Sequence, residues 1–257
     1  SLQHTSSLQN KEYLMNQRID LRNLNELRQI SYEINPLSFA QGSVVFSTGM
    51  TKVLCSITIE NRVPRFIEGQ NTGWLTAEYS MLPGSTNPRS SRENVNKGRS
   101  KEISRLIGRT LRSAVDLNSL GEITINVDCD VLQADGGTRT ASITGSYIAL
   151  HIALTHLLDG ETKLITEILT PTAAISVGLF DGIAFLDLCY EEDSRADSDF
   201  NIVMGKNKET LELVEIQGSA EGKRFSRKSF DSVLDLATKG VSELMEIQNK
   251  IITQSLS

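Results

Sequence analysis

The chain has 257 residues, 39% of them apolar and 23% charged, and a formal net charge of −6. That length suits one large domain or two small ones and is enough to bury a substantial core. The acidic balance argues weakly against nucleic acid binding by the whole surface but leaves local patches open, and no apolar run approaches the roughly 18 residues that span a bilayer.

Residues 1–16, SLQHTSSLQNKEYLMN, are polar and lack the apolar stretch of a signal peptide. They read as a disordered tail ahead of a single folded domain over 17–257. SVVFSTGMTKVLCSITI (43–59) is rich in Val, Ile and Thr and breaks at Gly49, which predicts two strands around a turn. A loop with Pro64, Gly69 and Gly73 follows, then a strand over WLTAEYSML (74–82) and a loop over 83–98. From 99 to 117 the period turns helical. Ile103, Leu106, Ile107, Leu111, Ala114 and Val115 share one face, while Arg105, Arg109 and Arg112 form a stripe on another. EITINVDCDVL (122–132) alternates, with Ile123, Ile125, Val127, Cys129 and Val131 on one side and Thr124, Asn126, Asp128 and Asp130 on the other. A glycine turn leads from it into a second helix over 141–158. Two hairpins follow: AAISVGLF and IAFLDLCY around Asp181-Gly182, then FNIVMG and LELVEIQG around GKNKE. Ser226 N-caps a last helix over 227–252, whose apolar face carries Phe230, Val233, Leu234, Ala237, Val241, Leu244 and Met245. This order indicates an α+β fold with a mixed sheet.

The three cysteines, Cys55, Cys129 and Cys189, are far apart in apolar runs and read as buried free thiols of a reducing compartment; no C-x-x-C pair suggests zinc. His151 and His156 lie within the helix pattern and read as core or surface residues. Charge is concentrated in two places. Between 85 and 112 eight basic residues face only Glu93 and Glu102, and between 190 and 199 five acidic residues face only Arg195.

The glycine turn spends Gly136, Gly137, Thr138, Arg139 and Thr140 on one strand-to-helix junction. The first N–H groups of a helix lack partners, glycine lets a backbone come close, and together these favour an anion. Arg139 adds a planar cation and the threonines add hydroxyls. Two readings stand: a phosphate cradle, or a tight turn with a surface arginine. The GxxxxGK[ST] spacing of a P-loop is absent. In YEEDSRADSDF (190–200), Asp193 and Asp199 can meet only if the chain bends between them. Such a pair can hold Mg²⁺ or serve as general acid and base; the plainer reading is a solvated acidic loop. An anion site and an acidic metal site in one chain suggest phosphoryl or nucleotidyl transfer.

The blocks TKVLCSITIENRVPRFIEGQNTGWLTAEYSMLP, GRSKEISRLIGRTLRSAVDL, GEITINVDCDVLQADGGTRTASITG, LDLCYEEDSRADSDFNIVM and EIQGSAEGKRFSR resemble the bacterial ribonuclease PH family, and the likeness runs from about Arg18 to Ile252. The resemblance implies a ribosomal protein S5 domain 2-like fold, a mixed sheet packed with helices. It implies a cytoplasmic 3′→5′ exoribonuclease, with no membrane association, that trims tRNA precursors and other structured RNA by phosphorolysis and releases nucleoside diphosphates. It also implies a homohexameric ring built as a trimer of dimers. By this resemblance Arg99, Gly137, Thr138 and Arg139 bind inorganic phosphate, the co-substrate. Asp193 and Asp199 hold Mg²⁺ or Mn²⁺ and take part in catalysis, with Asp187 a weaker third acidic candidate. Arg89 and Arg92 match arginines of a basic loop used for RNA contact and ring assembly. Gly84 stands where a third arginine is usual, and the loop is shorter than usual before GRS. In the N-terminal R-P-D-G-R pattern, RIDLR (18–22) replaces Pro and Gly, so a local conformational difference is expected there. The rival from another class is a non-catalytic, RNA-binding ring subunit of exosome type. It would be marked by loss of Arg99, Arg139, Asp193 or Asp199, all of which are present.

Overall fold

The structure is a computed structural model and describes residues 18–92 and 98–256. The expected N-terminal tail and part of the 83–98 loop lie outside the described residues. Among those described, the strands are β1 (Ile30–Ile34), β2 (Gly42–Thr48), β3 (Thr51–Glu60), β4 (Trp74–Met81), β5 (Thr124–Gln133), β6 (Thr172–Phe180), β7 (Ile183–Leu186), β8 (Ser198–Asn207) and β9 (Thr210–Ala220). The helices are α1 (Gly98–Ala114), α2 (Thr138–Leu157), α3 (Thr162–Ile168), α4 (Tyr190–Asp193) and α5 (Arg227–Ser255).

The expected α+β class holds, with the strands divided between two sheets. The first is mixed, in the order β1-β2-β3-β5-β4, and only its β4–β5 pair is parallel, as the crossover through α1 requires. The second is antiparallel, in the order β7-β6-β8-β9. The alternation of β5 sets its sidedness: Ile125, Val127, Cys129 and Val131 are buried, and Asn126, Asp128 and Asp130 face the other way, half-buried.

The helix after the glycine turn organises the molecule. Nearly every residue of α2 from Thr140 to Thr155 is buried. A helix covered on all sides belongs in the interior, and α2 packs on β2 and β3 of one sheet and on β6 of the other. A single hydrophobic cluster therefore runs through both sheets and the flanking helices. The Ser226 cap is present, with its hydroxyl accepting from the Ser229 N–H, and α5 runs on to Ser255.

Three features depart from the sequence reading. β1 and α3 were not anticipated, because both are short and have no clean period. α1 stops at Ala114 instead of 117, because Val115 pairs as an isolated bridge with Leu169. The strand expected to run to Tyr190 ends at Leu186, where the chain turns at Asp187 (φ +53°) into α4. The acidic segment thus begins as one helical turn and not as an open loop.

Candidate functional site

Two loops meet at the end of β5, backbone against backbone. One is the Asp135–Gly137 turn and the other is the segment 187–190 leading into α4. The Tyr190 N–H donates to the Asp135 carbonyl at 3.1 Å. A Cβ on Gly136 would lie 2.7 Å from Cys189 C and Tyr190 N and 2.8 Å from Leu188 O, and Gly136 has φ +78°. Glycine is needed there because another loop occupies the space a side chain would take. Gly137, at φ +67°, is the residue before α2, whose first turn holds no acidic residue. The free N–H groups of that turn suit an anion.

Buried arginines hold the two loops together. Arg28 donates to the carbonyls of Asp135 (2.7 Å) and Gly136 (3.3 Å) and pairs with Asp187 at 2.8 Å. Asp187 also accepts from the Arg28 N–H at 2.8 Å and the Thr48 hydroxyl at 3.2 Å. Burial alone would push its carboxyl up, but Arg28 and then Arg22 bring it below the usual carboxylate range. The weaker third acidic candidate therefore has its oxygens engaged in fixing the loop. Arg18, fully buried, clasps Glu192 of α4 through two bonds of 2.8 and 2.6 Å. In RIDLR, where a local conformational difference is expected, Leu21 takes φ +62°, a left-handed backbone that favours glycine.

This scaffold sets the acidic pair. Asp193 ends α4, and Asp199 lies on β8, where the Ser219 hydroxyl donates to it at 3.0 Å. The Asp193 carboxyl is pushed up from the usual range, first by lost solvation and then by the Asp199 charge, with Glu221 adding and Arg99 and Arg139 opposing. The charges of Asp199, Arg99 and Arg139 thus all act on Asp193, although Arg99 and Asp193 are 94 positions apart along the chain. Arg99 stands exposed in the first turn of α1. Arg139 donates to Gln217 Oε1 at 2.9 Å and to Glu102 Oε1 at 3.2 Å. Among the described residues no group of three or more His, Cys, Asp or Glu is placed to hold a metal. The two carboxylates alone suit a hard cation that takes its remaining oxygens from water and phosphate.

Arg89 and Arg92 are exposed on the segment after β4. Two members of the arginine stripe of α1 have tertiary partners. Arg109 pairs with Glu215 through bonds of 2.8 and 2.6 Å, and Arg112 lies 5.1 Å over the Trp74 ring and donates to Leu75 O. Tertiary partners brought by β9 and β4 absorb those charges, while Arg105 remains exposed. Cys55 and Cys129 are buried opposite each other on β3 and β5, whereas Cys189 is half-buried before α4. His151 is half-buried and His156 exposed, its ring nitrogen 2.9 Å from Gln41 O. Sequence reasoning missed Arg28. Arg28 meets Asp187 across 159 positions, a separation that no local pattern announces.

The sequence profile of the 3′ exoribonuclease family matches in two parts, domain 1 over residues 26–155 and domain 2 over 170–240. Ribonuclease PH of Crocosphaera subtropica is 52% identical over 240 residues, covering 93% of this chain and 99% of that protein. Ribonuclease PH of Dehalococcoides mccartyi is 51% identical over 238 residues, covering 91% and 98%. Among solved structures, the Archaeoglobus fulgidus exosome with RNA bound to the active site superposes with a TM-score of 0.75 at 22% identity, covering 90% of this chain and 92% of that one. Rice Rrp46 does so with a TM-score of 0.68 at 23% identity, covering 89% and 98%. The structural likenesses establish the shared fold, and the two profile matches with the close relatives establish that the chain belongs to the 3′ exoribonuclease family.

Proposed function

We propose that the chain is a phosphorolytic 3′→5′ exoribonuclease that trims the 3′ ends of tRNA precursors, consuming inorganic phosphate and releasing nucleoside diphosphates. Identity above 50% with ribonuclease PH over nearly the whole chain supports the activity. The observation that carries the residue roles is that Arg139 and Asp199 bond to β9 two residues apart, at Gln217 and Ser219, with the charges of Arg99, Arg139 and Asp199 acting on Asp193.

An oxygen of inorganic phosphate attacks the last phosphodiester phosphorus. A new P–O bond forms, the bond to the preceding ribose 3′ oxygen breaks, and that oxygen leaves with a proton. The attacking phosphate sits on the N–H groups of the α2 first turn and the Thr138 hydroxyl. Arg99 and Arg139 offset the repulsion between it and the RNA phosphate. Asp193 and Asp199 fit Mg²⁺ or Mn²⁺, which when bound supplies positive charge against the scissile phosphate. Arg89 and Arg92 contact the RNA backbone. Residues 17–257 act as one catalytic domain, supported by the continuous core, in a cytoplasmic homohexamer. Among the described residues no helix is long and apolar enough to cross a membrane. A non-catalytic ring subunit is disfavoured because all four site residues are retained.

The test is to incubate the protein with Mg²⁺ and a tRNA bearing a short 3′ extension, with and without inorganic phosphate. Nucleoside diphosphates appearing only with phosphate are expected. Monophosphates released without phosphate would make it a hydrolase, and no product would leave an RNA-binding scaffold.

A further inference from the structure

The glycine turn is supported from behind by a residue with no role so far. Tyr79 of β4 is 3% exposed, and its hydroxyl lies 2.8 Å from Thr138 Oγ1. Its backbone N–H donates to Ser104 Oγ at 2.9 Å, and the Ser104 hydroxyl donates in turn to Ser100 O at 2.8 Å, one residue from Arg99. One residue thus connects to both elements of the cradle: directly to the first turn of α2 through its side chain, and to the first turn of α1 by way of the Ser104 hydroxyl.

We propose that Tyr79 is a positioning residue for phosphate, its hydroxyl donating to Thr138 Oγ1 so that the threonine proton is directed at the bound anion. The inference rests on the phosphate reading above. A hydroxyl carries one proton and accepts through its lone pairs. Either oxygen of the pair can donate when no anion is present. The unprotonated oxygens of phosphate only accept, so when Thr138 bonds one of them it gives its proton forward and can take one from behind. Tyr79 can supply it. Its phenol is pushed up by burial, with Thr138, Arg99 and Arg139 pulling the other way, and it stays protonated at neutral pH. A donor chain ending on an anion strengthens each of its bonds. Burial of the ring fixes the phenol oxygen beside Thr138, so a donor stands ready when phosphate takes the threonine proton.

The test is steady-state kinetics of Tyr79→Phe, alone and combined with Thr138→Ser or Thr138→Ala, varying phosphate and RNA separately. Tyr79→Phe keeps the ring and removes only the hydroxyl. It should raise the KM for phosphate about twofold to tenfold, the range for one hydrogen bond, with kcat and the KM for RNA little changed. The penalty should persist with Thr138→Ser, which keeps a hydroxyl, and vanish with Thr138→Ala. Phosphate-induced thermal stabilisation of Tyr79→Phe should fall in parallel, which reads binding without turnover. An equal penalty in the Ser and Ala backgrounds, or an unchanged phosphate KM, would overturn the role of Tyr79. Wild-type turnover without any phosphate dependence would instead overturn the phosphate reading beneath it.

Discussion

Gly136→Ala tests whether the glycine turn serves the meeting of two loops. A Cβ there would stand 2.7–2.8 Å from three backbone atoms of residues 188–190, none of which can swing aside as a side chain would. The left-handed backbone (φ +78°) costs a non-glycine residue about 1–2 kcal/mol. Overpacking against fixed atoms adds about 1–3 kcal/mol, for a total of about 2–5 kcal/mol. Gly69 is the control, because it has nearly the same φ (+80°) with nothing within 4 Å of its Cβ position. Gly69→Ala should therefore show the conformational cost alone. The two variants should differ by about 2–12 °C in Tm, taking about 2–4 °C per kcal/mol for a chain of this size. Melts followed by circular dichroism would measure this, and turnover would be assayed in parallel. Gly136→Ala should also lose activity, since displacing 188–190 moves Asp193 from the cradle, whereas Gly69→Ala should keep it. Equal destabilisation by the two substitutions would refute the packing argument.

Asp187→Asn leaves the buried Arg28 cation without its counter-ion and should cost about 3–5 kcal/mol at neutral pH. The folded carboxyl sits below its unfolded value. Its contribution is present above the ordinary carboxylate pKa and lost as pH falls through the depressed folded value. The gap in urea midpoint between wild type and variant should therefore narrow on strong acidification, and a gap independent of pH would contradict the ion-pair account. For the acidic pair, Asp199→Asn removes the like charge that helps raise Asp193, so the Asp193 titration should move to lower pH in carboxyl NMR, with Asp193→Asn as the assignment control. Mg²⁺ added to the wild type should move it the same way; an unshifted titration in both experiments would mean the two carboxylates do not share a site.

Much of this molecule could be read along the chain. The alternation of β5, the apolar face of α1, the Asp181-Gly182 hairpin and the Ser226 cap are local patterns of period, turn chemistry and capping, and each appears where those patterns place it. The proposed site residues stand in short contiguous motifs, GRS, GGTR and the two aspartates after LDLCY, which is why the sequence offered them as candidates. The sequence alone also determined that a glycine pair stands where a strand enters a helix. What crowds it was decided by tertiary structure. Gly136 is required by the backbone of residues more than fifty positions away, and Asp187 is withdrawn from the acidic pair by Arg28 from the start of the chain. Helical period placed the arginines of α1 on one stripe, but only packing gave Arg109 and Arg112 their partners, Glu215 of β9 and Trp74 of β4. Charge and hydrogen-bonding capacity are written in each residue, but whether they are spent on a neighbour or left for a ligand depends on contacts made only when distant segments pack.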